Sequence, residues 1–289
     1  MTKRSKRILF YSAVAVFLFL SYAVILYAQG YKYSFSNNRF VRTGAISLRV
    51  STDASIYLDD KLKGETSFFG DSFSINRLLP GRYQLKVQKD GHSVWQKKVT
   101  VEEGFVTDFS KILILPQSGE DKDKILKDIE NLFIAQATPS PTAPASTVSG
   151  SSASSPSTTP KITPSPKTGK KPTPTPEVYT EPFVLKNKTL SRNNNQQLDK
   201  IADEVLGFSL SKYTNKILWW TSTELWVMWL NDTDYQPYRN NGDVDFVFRF
   251  SVTPKNVVWF PDEDHILVDS NGYKVLEIDK RGGVNVVDL

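Results

Sequence analysis

Few residues in this chain of 289 are placed to do chemistry. Asp262, Glu263, Asp264 and His265 form its densest polar cluster, and with Asp232 or Asp243 they could surround a cation. The same run also suits a turn between two strands, with Asp capping the hairpin. A calcium loop would need oxygen ligands at alternating positions and a sharp-turn glycine, and neither is present. The chain has no cysteine, and its two histidines, His92 and His265, lie far apart. That leaves no thiolate metal site, no disulfide framework and no recognisable nucleophile–base motif. Lys167-Thr168-Gly169-Lys170-Lys171 lacks the first glycine and the final hydroxyl of a phosphate loop. The expectation is a protein that is not an enzyme and carries no cofactor.

Aromatic residues offer a second kind of site. Trp219, Trp220, Trp226 and Trp229 crowd into one short stretch, followed by Tyr235 and Tyr238. Such rings can stack on sugars, which makes these four tryptophans candidate ligand-stacking residues. In a strand, however, neighbours face opposite sides. Trp219 and Trp220 can both be core only if both faces of their strand are covered.

The elements that must position these residues begin with an apolar run, Ile8 to Ala28, directly behind Lys3, Arg4, Lys6 and Arg7. About 20 residues at ~1.5 Å each cross a hydrocarbon core roughly 30 Å thick. Basic residues before such a span stay cytoplasmic, which predicts a short tail at 1–7, an anchor at 8–28 and an exported remainder. The alternative is a cleaved signal peptide, but the apolar run continues past the small-x-small triplet Ser21-Tyr22-Ala23. Residues 29–43 read as a juxtamembrane stalk, with Tyr31 and Tyr33 suited to the interface and Lys32, Arg39 and Arg42 within reach of lipid phosphates. The net charge is +5, yet residues 1–43 alone hold seven basic and no acidic side chains. The excess therefore sets topology, and no nucleic-acid footprint is expected on the folded parts.

Residues 136–182 are rich in Pro, Ser and Thr and nearly devoid of large apolar side chains. They cannot bury enough surface to offset chain entropy, which predicts a disordered linker, either a spacer through a cell wall or a plain tether. Before it, period-2 alternation at Ile46/Leu48/Val50, Ile56/Leu58, Tyr83/Leu85/Val87, Val99/Val101 and Phe105/Phe109 predicts a small β-sandwich over 44–116. Ile125, Ile129, Leu132 and Phe133 mark one face of a short helix over 120–135, expected to pack on the sandwich or to self-associate. Strand-like runs recur from Phe208 to Val287, so the whole is all-β behind an N-terminal transmembrane helix.

Residues 44–116 resemble a PEGA domain, a β-sandwich module of bacterial and archaeal surface proteins. The likeness runs through Ile56-Tyr57-Leu58-Asp59, Gly64, Thr66, Leu79-Pro80-Gly81-Arg82-Tyr83, Lys89-Asp90-Gly91-His92 and Trp95. The name motif is eroded to Ser51-Thr52-Asp53-Ala54. Within 183–289, Trp259-Phe260-Pro261-Asp262 and the strands around it resemble a blade of a TolB-like β-propeller, with a looser likeness from Phe208 to Leu230. About two blades fit, whereas a ring needs at least four. Either the propeller is truncated, which we favour, or two blades pack in another way. The anchor and its basic flank imply a single-pass membrane protein with its bulk extracytoplasmic, and the resemblances imply surface interaction modules of the cell envelope. Its expected role is non-catalytic binding or scaffolding toward wall polysaccharide or another envelope protein. The alternatives are a sensor or enzyme with its active domain further on, and a wall-glycan lectin.

Overall fold

The computed structural model describes residues 3–35, 38–66, 71–137 and 182–289. Most of the linker expected over 136–182 lies outside them. Two compact units result, Met1–Phe133 with Val205–Leu289, and Ile134–Glu204. The second unit contains a three-stranded antiparallel meander, β10 (Phe183–Lys186), β11 (Thr189–Asn194) and β12 (Gln197–Ala202), which the strand pattern did not reveal.

The first unit opens with α1 (Lys3–Ala28), a 26-residue helix long and apolar enough to cross a membrane, with no residue buried against the protein. A helix of this kind at an N-terminus fits an anchor or a signal sequence. Residues 29–43, expected as a stalk, contain a hairpin of β1 (Tyr31–Ser34) and β2 (Arg39–Arg42).

The sandwich follows. One sheet holds β3 (Gly44–Val50) between β6 (Ser72–Leu78) and β9 (Val106–Ile112). The other has the order β5 (Lys61–Glu65), β4 (Ser55–Leu58), β7 (Gly81–Gln88), β8 (Trp95–Val101). All pairs are antiparallel except β3 with β9, which is parallel. Alternation sends Ile46, Leu48, Val50, Ile56, Leu58, Leu85 and Val87 into one core with Trp95 and Phe109.

Two four-stranded meanders complete the unit. The first is β13 (Gly207–Leu210), β14 (Lys216–Trp220), β15 (Glu224–Trp229) and β16 (Val244–Arg249). The second is β17 (Asn256–Trp259), β18 (His265–Asp269), β19 (Tyr273–Glu277) and β20 (Val286–Asp288). They pack face to face through Trp220, Leu225, Trp229, Trp259, Ile266 and Leu276. Gly207 makes this packing possible, because a Cβ there would lie 2.4 Å from the Trp220 ring. Among the described residues the sheets do not close into a ring.

Period-2 geometry explains why β17, β18 and β19 are apolar on both faces. Val257, Ile266, Val268 and Leu276 face the first meander. Val258, Leu267 and Val275 face the other way, onto Ile129 and Leu115. Ile129 belongs to α2 (Glu120–Ala137), so the helix covers the second meander. Leu113 and Leu115, at the end of the sandwich segment, join the same cluster, so the helix meets that segment as expected and the second meander in addition. The Phe133 ring stacks on Tyr273 at 5.6 Å.

Candidate functional site

Strand β8 places Trp95, Lys97, Val99 and Val101 on its buried side. A lysine in that register must find an acid, because an uncompensated buried ammonium is costly. Lys97, 1% exposed, finds it in the second meander. Its Nζ lies 3.0 Å from Glu277 Oε2 and donates to the Asp279 carbonyl at 2.5 Å. Glu277 Oε2 also accepts from Trp95 Nε1 at 3.2 Å and from Asn285 Nδ2 at 3.0 Å.

Asp279 extends the network. Arg281 Nη2 reaches Asp279 Oδ2 at 2.7 Å and donates to the Asp108 carbonyl at 2.6 Å. The Arg281 guanidinium lies over the Phe109 ring, 4.3 Å from its centre. Burial pushes the Asp279 carboxyl up, but the Arg281 hydrogen bond and the charges of Lys97 and Arg281 outweigh it and hold the group below the ordinary carboxylate range. Gly282 then passes so close to β8 that a Cβ would lie 2.3 Å from the Lys98 carbonyl oxygen, at a φ of +71°. Close approach and positive φ both demand glycine here.

The unpaired edges of the sandwich are completed by side chains. Gln236, in the loop between β15 and β16, donates from Nε2 to the Val106 carbonyl at 2.8 Å. Its Oε1 accepts the Asp108 N–H at 3.0 Å, so one amide stands in for a neighbouring strand along β9. Asn285 Oδ1 accepts the Gln96 N–H of β8 at 3.3 Å. The sandwich and the meanders therefore meet edge-on through a polar joint.

A cleft opens beside this joint. Its inner part is lined by Phe109, Lys111, Trp229, Tyr235, Asp264 and Glu277, among others. Asp264 bridges the two sides, 3.2 Å from buried Lys216 and 3.5 Å from Lys111. Burial, followed by the charges of Asp264, Asp234 and Glu263, pushes the Tyr235 hydroxyl up. The outer part runs between Phe105 and Thr107 on the sandwich and Tyr238 and Arg239 on the loop. Phe105 and Tyr238 are 66% and 67% exposed, on opposite walls.

The residues singled out from sequence are dispersed. Trp220 and Trp229 lie in the core between the meanders, and Trp219 is buried on the opposite face. Trp226, half-buried, stacks parallel to Trp219 at 6.4 Å. Asp262 acts as a turn cap: Oδ1 accepts the N–H groups of Asp264 and His265, each at 3.0 Å, and Oδ2 lies 2.7 Å from His265 Nδ1. Burial raises the Asp262 carboxyl, and the His265 hydrogen bond and charge with those N–H groups more than reverse it, leaving the group lowered. Asp232 and Asp243 cap a different loop, accepting the N–H groups of Asn241 and Asn240. Among the described residues no three His, Asp or Glu gather as a metal centre.

The PEGA-like signature residues take local positions in the sandwich. Gly64 lies against the Phe73 ring, and the Thr66 hydroxyl accepts the Ala54 N–H at 2.9 Å. Pro80 and Gly81 lead into β7, where the Tyr83 hydroxyl donates to the Leu79 carbonyl at 2.7 Å. Gly91 has a φ of +71° in the turn before β8, and Trp95 is 1% exposed.

Residues 46–114 match the PEGA domain model, which spans β3 to β9 and bears out the resemblance read from the sequence. No curated protein matches the chain.

Proposed function

We propose that this is a non-catalytic, membrane-anchored binding or scaffolding protein of a bacterial cell envelope. The sandwich and meanders act as one extracytoplasmic head, and the outer cleft between them receives a wall polysaccharide or an extended partner. The observation that carries this reading is the outer cleft itself, which sets exposed Phe105 and Tyr238 on opposite walls beside the buried Lys97–Glu277 joint. Two aromatic rings on opposite walls, with Arg239 and Thr107 beside them, suit a sugar chain that stacks and hydrogen-bonds. The ionic groups flanking the inner cleft are already engaged with one another, which favours holding over proton transfer. The TolB-like likeness of the meanders is consistent with such a role, since stacked sheets give rigid walls.

Two experiments test it. An alkaline phosphatase fusion after Pro182 should be active in cells, and inactivity would contradict export. The full chain in nanodiscs should co-sediment with purified envelope polysaccharide. Phe105→Ala with Tyr238→Ala should weaken that binding by roughly tenfold or more, as expected from two lost stacking contacts of about 1 kcal/mol each. Trp226→Ala should leave it unchanged. The reverse pattern would move the site to the tryptophan face.

A further inference from the structure

The hairpin of β1 and β2 presents an aromatic cluster that the sandwich does not cover. Phe35 is 84% exposed, Phe40 52% and Tyr33 40%. The Tyr33 ring meets Phe35 at 5.1 Å and Phe40 at 5.3 Å, both edge to face. Clustered exposed rings of this kind mark a surface meant to be covered.

Chain position says by what. The hairpin starts at Tyr31, directly after the membrane-length helix ends at Ala28. At ~3.3 Å per residue its four-residue strands reach only about 13 Å from that end. Tyr22 and Tyr27 already occupy the last turns of the helix, and residues 29–43 carry Lys32, Arg39 and Arg42 with no acidic side chain. Aromatic rings and basic groups at this depth suit the headgroup layer and its phosphates.

The hairpin is also fixed to its surroundings. The Thr43 N–H and hydroxyl donate to the Gly30 carbonyl at 2.8 and 2.7 Å, and Lys32 Nζ donates to the Arg77 carbonyl at 2.6 Å. Arg77 in turn lies over the Tyr27 ring at 4.5 Å and donates to its hydroxyl. The Arg42 N–H donates to Glu103 at 2.8 Å.

We infer that this hairpin is a membrane-interface foot, seating Phe35, Phe40 and Tyr33 among the headgroups of an anionic bilayer and so setting the tilt of the sandwich. The inference rests on the anchor reading above. The absence of cysteine makes its test clean. Single variants Phe35→Cys, Phe40→Cys, Tyr22→Cys and Lys61→Cys of the full chain carry an environment-sensitive fluorophore in phosphatidylcholine/phosphatidylglycerol vesicles. At 35 and 40 emission should shift to the blue and be quenched by headgroup spin-labelled lipid about as strongly as at 22, while 61 stays unquenched. If the chain resists an alkaline carbonate wash but 35 and 40 behave like 61, the foot is wrong and the anchor stands. If the wash releases the chain, both fall.

Discussion

The two flanks of the sandwich solve the same problem in opposite ways. On one flank β5 ends its sheet with Lys61, Leu62 and Lys63 exposed. On the other, β8 and β9 end theirs against the two meanders, with Gln236 from the first and Asn285 and Arg281 from the second occupying the edge groups. A free edge is protected by lysine charge, which repels a pairing strand at little cost in stability. A covered edge gains hydrogen bonds but buries charge, and burial makes the partner obligatory. The first flank can therefore change freely, whereas the second ties the sandwich to the meanders.

Breaking the covered flank should have the largest effect. Lys97→Ala leaves Glu277 buried without its cation, and urea unfolding of the full chain should show a loss of about 3–5 kcal/mol. The double variant Lys97→Met with Glu277→Leu should recover most of it, since apolar isosteres remove both desolvated charges. Next comes Gln236→Ala, which strips two bonds from β9 and should cost about 1–3 kcal/mol, with faster hydrogen exchange at the Asp108 amide.

Acid should loosen the same flank, through Asp279, and the turn between β17 and β18, through Asp262. Asp279 and Asp262 both titrate below the ordinary carboxylate value when folded, so their stabilisation is fully present above about pH 4. It is lost as pH falls through the lower folded values. The denaturation midpoint should be level between about pH 7 and 5 and drop below about 4, more gently in Asp279→Asn. The smallest effect belongs to the free flank. Lys61→Ala with Lys63→Ala should change stability by less than about 0.5 kcal/mol while promoting self-association, read by light scattering.

The same contrast explains what the sequence could reveal. The strands at Ile46–Val50, Tyr83–Val87 and Val99–Val101 alternate cleanly because one face meets a core and the other meets water. Strand β5, with only Leu62 and Gly64 as apolar residues, carries no such pattern because both of its faces are largely exposed. In β14, Lys216–Trp220 are all buried, so alternation vanishes for the opposite reason. The joint left one usable trace: Lys97 shares the parity of Trp95, Val99 and Val101, and a charge in a core register calls for a distant acid. Which acid was not legible, because Glu277 lies 180 residues further along the chain. Gln236 left no trace, since a polar loop residue looks the same whether it faces solvent or completes a sheet edge. The four tryptophans drew attention by their type. Phe105 and Tyr238 were harder to see because their pairing exists only once two remote segments meet.

The central claim is that sandwich and meanders are one cooperative body. Native-state hydrogen exchange of the full chain, followed by mass spectrometry, tests it most directly. The slowest amides of β3, β7 and β8 should share one opening free energy with those of β14, β18 and β19, and Lys97→Ala should lower both sets together. Separate opening energies in the native chain, or a loss confined to the sandwich, would contradict it.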